Sequence, residues 1–160
     1  MGSMEQLYSE VILDHSRHPH GFGLAADCDA QSHQMNPICG DEVTLGVRLA
    51  QSANGVGDAE AKTIENISWN GQGCSISLAA TSVLTEELTG ATVAAARAAH
   101  ERFVALMHSR GAKIDLSTAE QLGDAAAFSG VAKYPARIKC ALLGWMALHD
   151  ALNRAQAGQQ

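Results

Sequence analysis

The stretch that most limits what this chain can fold into is residues 42–50. Val43, Leu45, Val47 and Leu49 alternate there with Glu42, Thr44, Gly46 and Arg48. A period of two puts every second side chain on one face, so this run is a strand with one buried side. Residues 31–36 form a short strand leading into it. The two are joined by Asn36-Pro37-Ile38-Cys39-Gly40-Asp41, a turn made tight by Pro37 and Gly40. A polar loop, 51–61, leads to a third strand over 63–69. Its apolar phase slips between Ile64 and the pair Ile67 and Trp69, which predicts a bulge or a late strand start. Three sequential strands with loop connections point to an antiparallel sheet.

The remaining periodicity is helical. Met4, Leu7, Tyr8, Val11 and Ile12 mark a helix over 4–16, ended by Pro19, Gly21 and Gly23. After Gly71-Gln72-Gly73-Cys74, a second helix carries the stripe Ile76, Ala80, Val83, Leu84 and Leu88 and stops at Gly90. Thr92 caps a third helix that runs to about Ser109, with Ala96, Phe103 and Met107 on one face and Gly111 closing it. Ser117-Thr118-Ala119-Glu120 reads as a capping box opening a short helix to about Ala127, broken by Phe128-Ser129-Gly130. Pro135 opens the last helix, where Ile138, Leu142, Trp145, His149 and Leu152 recur at three- and four-residue steps.

The expected architecture is therefore α+β: a three-stranded antiparallel sheet with helices packed on it, in a single domain spanning 4–154. Met1-Gly2-Ser3 reads as a cloning remnant and 155–160 as a polar tail. With 160 residues, a chain buries ~70% of its unfolded surface and needs no disulfide. A net charge of -6 argues against nucleic-acid and anionic-membrane partners, which select basic surfaces. No apolar run is long enough to span a bilayer, and no secretory signal is evident. Four cysteines in such a chain point to the reducing cytoplasm, where metal binding or catalysis is the usual use of thiols.

Cys39 and Asp41 place a thiol and a carboxylate on one turn, donors that zinc accepts together. Cys74 sits at the start of a helix, where backbone N–H groups are unpaired. On the last helix, at about 100° per residue, Cys140 falls about 200° from Ile138. It is therefore expected to face outward near the positive helix terminus, with Arg137 on the same side to favour a thiolate. Spacing alone leaves two readings open, one shared metal site or scattered structural cysteines. Cys28, between Asp27 and Asp29, reads as incidental. His15, His18 and His20 cluster in sequence but straddle a helix end and a loop, and read as structural.

Three motifs in order, Asn36-Pro37-x-Cys39-Gly40-Asp41, Gly71-x-Gly73-Cys74-x-Ile76-Ser77 and Arg137-Ile138-Lys139-Cys140, together with Tyr8 and Asp14-His15, resemble the IscU/NifU-like family of iron–sulfur cluster assembly proteins. The likeness is greatest to the SufU branch. Lys139 stands where the scaffold branch has a histidine, and the interval between Cys74 and Cys140 is long enough to hold an extra helix within about 92–127. That resemblance implies a zinc-dependent sulfurtransferase with Cys39, Asp41, Cys74 and Cys140 as ligands of one zinc ion. Cys39 would accept persulfide sulfur from the pyridoxal-phosphate-dependent cysteine desulfurase SufS, leaving the zinc when a desulfurase histidine replaces it. Arg137 would assist docking or thiolate stabilisation. The alternatives are a scaffold holding a [2Fe–2S] or [4Fe–4S] cluster among other components of the assembly complex, and a structural zinc domain that binds partners.

Overall fold

The computed structural model describes residues 3–38, 40–50 and 59–158. Cys39 and the 51–58 part of the polar loop lie outside the described residues, as do 1–2 and 159–160. Strands β1 (Ala30–Asn36), β2 (Asp41–Leu49) and β3 (Ile64–Gln72) form an antiparallel meander in the order β1-β2-β3. β1 and β2 pair from Ala30↔Val47 to Asn36↔Asp41. In β3 the register shifts: Arg48 faces Asn66 but Leu49 faces Ile64, leaving Glu65 as the extra residue. The bulge absorbs the slip in apolar phase, so that Ile64 and Ile67 are both buried despite their odd spacing.

The far edge of β3 is covered by the loop after the first helix. Trp69 N donates to the Gly21 carbonyl at 3.0 Å, Gly23 N donates to Trp69 O at 2.7 Å, and Trp69 Nε1 donates to the His20 carbonyl at 2.8 Å. Pairing the edge in this way removes a template for association with other strands. Phe22 packs edge-on against the Trp69 ring.

Helices α1 (Ser3–Arg17), α2 (Ser75–Leu88), α3 (Val93–His108), α4 (Leu116–Leu122) and α5 (Pro135–Gln156) complete the described secondary structure, with short 3-10 segments at Ala59–Ala61 and Gly123–Lys133. α5 lies across β1 and β2, and α2 packs on α5 and on α1. Tyr8, Val11 and Ile12 of α1 face the core as expected, whereas Leu7 is exposed. Thr92 caps α3, its side chain accepting from Ala95 N at 3.1 Å, and Pro135 is at the first turn of α5. No helix among the described residues is long and apolar enough to cross a membrane.

Four expectations need correction. α4 begins earlier than the Ser117 capping box implies: Asp115 is the cap, its carboxylate accepting from Thr118 N at 2.8 Å. An aspartate adds charge to the hydrogen bond at the positive helix end, and the Asp115 pKa is lowered by it. Phe128-Ser129-Gly130 does not break the chain's winding. The 3-10 segment continues to Lys133 because Ala125, Ala126, Ala127 and Phe128 are buried, with Phe128 edge-on to Phe103.

α2 is buried around most of its circumference rather than along one stripe. Its inward Thr81 and Thr85 hydroxyls donate to the Ser77 and Thr81 carbonyls, both at 2.8 Å, so polar side chains are buried without orphaned groups. Finally, Cys140 does not face outward; it is 2% exposed. Cys140, Gly144, Ala147 and Ala151 share one side of α5 by helical geometry. All four are small and buried, and Gly144 lies against Thr81 of α2. The predicted stripe is only one of two covered sides, and Ile138 and Leu142 on it are the less buried.

A Cβ added at Gly144 would lie 2.2 Å from Thr81 Oγ1. Gly144→Ala is therefore expected to destabilise the protein by about 1–3 kcal/mol through overpacking. Thr81→Ala in the same chain should recover part of the loss, as read from paired denaturant titrations. A second expectation concerns acid. His100 stacks on His149 with ring centroids 4.7 Å apart. Burial, then the neighbouring His149, hold the His100 pKa below its ordinary value. The unfolded chain takes up a proton near pH 6.5 that the folded chain resists, so stability falls as pH drops through that value. His100→Gln should flatten the decline in melting temperature between pH 7.5 and 5.5.

Candidate metal centre

Asp41 opens β2, directly across from Asn36. The Asn36 side chain accepts from Ile38 N at 3.1 Å, and Gly40 N donates to the Asn36 carbonyl at 2.8 Å. Gly40 has φ +74°, a conformation that suits glycine. This local hydrogen bonding turns the chain into β2 with the Asp41 side chain buried at 3% exposure.

β3 brings the second donor. It runs back beside β2 and ends at Gln72, and Cys74 then becomes the cap of α2. Cys74 N donates to Asp41 Oδ1 at 3.3 Å, and the Cys74 thiol donates to Asp41 Oδ2 at 3.5 Å. The glycines of Gly71-Gln72-Gly73 make this approach possible. A Cβ at Gly71 would meet the Glu42 carbonyl at 2.6 Å, and one at Gly73 would meet Asp41 Cγ at 2.7 Å and Ser77 Oγ at 2.5 Å. Gly73 thus lets the backbone close on the carboxylate, and Gly71 lets β3 lie against β2 just before it.

Cys140 comes from the buried side of α5. Its Sγ donates weakly to the Ala136 carbonyl at 3.7 Å. One Asp41 oxygen and the Cys74 and Cys140 sulfurs all lie within 4.8 Å of one another. Two thiols and a carboxylate at that separation suit a thiophilic divalent ion, and the proton Cys74 shares with Asp41 stands where a cation would compete. The positive end of α2 adds its field to the same point. Cys39 precedes Gly40 in sequence but lies outside the described residues.

Arg137 is exposed on the first turn of α5, and among the described residues it has no ion-pair partner. It shares with Cys74 and Tyr134 the wall of a cleft of about 850 Å³ that also borders α1 and Lys133. Lys139 is exposed beside the buried Cys140. Cys28 stands apart from this set. Its Sγ donates to the Ala25 carbonyl at 3.2 Å, and the side chain occupies the space left by Gly46 on β2.

Two histidines set aside on sequence grounds, His15 and His20, meet Glu86 in space. The missing third ligand is on α2, 66 residues beyond His20, and no short-range spacing would reveal it.

The sequence profile of the NifU-like N terminal domain family matches residues 7–141. The zinc-dependent sulfurtransferase SufU of Bacillus subtilis is 33% identical over 156 residues, covering 98% of this chain and 96% of that protein. The iron–sulfur cluster assembly scaffold protein IscU of Streptococcus pyogenes is 32% identical, covering 99% of this chain and 91% of that one. A crystal structure described as an iron–sulfur cluster assembly scaffold protein for the SUF system, from Fervidobacterium islandicum, superposes with a TM-score of 0.71. It is 33% identical and covers 94% of this chain and 99% of that one.

The Asp41 carboxylate accepts from Cys74 N, so Asp41→Ala should leave that N–H unpaired and lower stability by about 1–3 kcal/mol. Asp41→Asn keeps an acceptor oxygen and should recover most of it. Comparing the two by thermal unfolding in a chelator separates the structural role of the side chain from any metal it holds.

Proposed function

As the chain belongs to the NifU-like N terminal domain family, which includes IscU and SufU, we propose that it is a zinc-dependent sulfurtransferase of the cytoplasm. It takes persulfide sulfur from a pyridoxal-phosphate-dependent cysteine desulfurase of the SufS kind for iron–sulfur cluster assembly. The observation that carries this reading is the convergence of Asp41, Cys74 and Cys140 within 4.8 Å, from three separate elements. Cys39 would be the fourth zinc ligand, since it lies two residues before Asp41 in the sequence. Zinc bound there supplies positive charge that keeps thiols deprotonated at neutral pH.

In the transfer, the Cys39 thiolate attacks the outer sulfur of the desulfurase persulfide. The new S–S bond forms on Cys39, the old one breaks, and the desulfurase cysteine leaves as a thiolate. No external oxidant or reductant is needed. Cys39 is assigned this role because it precedes Gly40 in the sequence, between the residues of β1 and β2, whereas Cys140 is buried on a helix. Arg137, which has no ion-pair partner among the described residues and lines the same cleft as Cys74, supplies positive charge toward an approaching anionic sulfur. The exposed apolar side chains Met35, Ile38 and Tyr134 offer the desulfurase a contact surface near the loop and the cleft.

A scaffold role is the second reading, supported by relatives and a neighbouring structure described as scaffolds. Lys139 weighs against it, because an ammonium cannot replace a ligating imidazole.

Desulfurase turnover with cysteine is the test, using wild type, Cys39→Ala and zinc-stripped protein. Wild type should stimulate turnover and carry a persulfide on Cys39, and the other two should lose at least tenfold of the stimulation. Equal stimulation by all three would overturn sulfur acceptance by Cys39. If only the zinc-stripped sample failed, a structural zinc domain would be favoured. Anaerobic reconstitution of a stoichiometric cluster that passes to an apo-protein would favour the scaffold.

A further inference from the structure

A second group of metal-ligating side chains lies at the other end of α2. Glu86 is twelve residues beyond Cys74, roughly 18 Å along a helix that rises 1.5 Å per residue. His15, on the last turn of α1, is 4% exposed, and its ring centroid lies 5.1 Å from that of His20 in the following loop. His20 Nε2 is 3.0 Å from Glu86 Oε2, and His15 Nε2 is 3.8 Å from Glu86 Oε1. Asp124, at the start of the 3-10 segment, brings Oδ2 to 3.2 Å from His15 Nε2. We propose that His15, His20 and Glu86, with Asp124 as a fourth donor, bind a borderline first-row divalent cation such as zinc.

Four lines of physical reasoning support the assignment. Metal–nitrogen bonds of 2.0–2.1 Å put tetrahedral donors about 3.3 Å apart, and the three separations above bracket that spacing. One buried hydroxyl holds both histidines: Ser82 Oγ lies 2.7 Å from His15 Nδ1 and accepts from His20 N at 2.8 Å. Ser82 has two lone pairs, so it can also accept from His15 Nδ1–H, which leaves Nε2 as the bare lone pair a metal requires.

Charge points the same way. Glu86 and Asp124 carry the negative charge; beside them the Glu87 carboxyl group, its pKa pushed up to about 7 by burial, accepts from Asp124 N at 2.9 Å. Among the described residues, no lysine or arginine pairs with any of these three. Lastly, imidazole with carboxylate selects zinc, cobalt or nickel over magnesium and calcium, which prefer oxygen donors alone. A cation there would tie α1 and its following loop to α2 and to the 3-10 segment.

Cobalt(II) titration tests this, because the two sites differ in sulfur. The cysteine-containing centre gives intense near-ultraviolet thiolate-to-cobalt absorption, whereas a nitrogen and oxygen site gives only weak visible bands. Metal-free wild type is expected to bind two equivalents, one of them without the thiolate band. His20→Ala combined with Glu86→Gln should lose that equivalent and keep the thiolate band. Both side chains are about half exposed, so the variant is expected to fold, which circular dichroism checks. Excess zinc should raise the melting temperature of Cys74→Ser protein, but not of Cys74→Ser protein that also carries the two substitutions. A single equivalent in wild type, or an unchanged second equivalent in the variant, would overturn the proposal. Loss of the thiolate band alone would bear on the cysteine centre and leave this site standing.

Discussion

The hydrogen bonds between Asp41 and Cys74 join the two halves of this fold. Asp41 is the first residue of β2 and Cys74 the cap of α2, so one carboxylate registers the sheet against the helix that follows it. The closeness depends on Gly73, where any side chain would collide with the Asp41 carboxyl group. The bulge at Glu65 sets where β3 ends and therefore where Cys74 falls beside Asp41. A one-residue change in register would turn every side chain of β3 to the other face.

The second constraint is the close crossing of α2 and α5. Gly144 against Thr81 lets the two helices approach, and the same small-residue side of α5 carries Cys140 inward. The thiol is thereby drawn toward Asp41 and Cys74 rather than left on the surface. A buried sulfur is shielded from chance oxidation, while Arg137 and Lys139, both just before it in sequence, stay in solvent. α2 serves both ends of the molecule, with a thiol-rich cluster at its N-terminus and an imidazole–carboxylate cluster near its C-terminus.

How far the sequence was legible follows from the range of each interaction. The alternation in 42–50, the phase slip at Ile64, the Thr92 cap and Pro135 are all set by neighbours a few residues apart, and each appears in the structure. The capping box at Ser117 was misplaced because Asp115, two residues earlier, is a stronger acceptor. The 3-10 segment escaped prediction because Phe128 is held by Phe103, a partner distant in sequence.

By itself the sequence determined the three motifs, their order and the strand and helix pattern that marks the family. Those depend on local spacing and residue type, which the chain carries before it folds. Only the tertiary structure decided that Cys140 points inward, because a helix packed on two sides has no single stripe to read. It also decided that Glu86 and Asp124 complete the pair His15 and His20. Charges and lone pairs separated by tens of residues have no periodicity, and only the packing of α1, α2 and the 3-10 segment on one another brings them to one point.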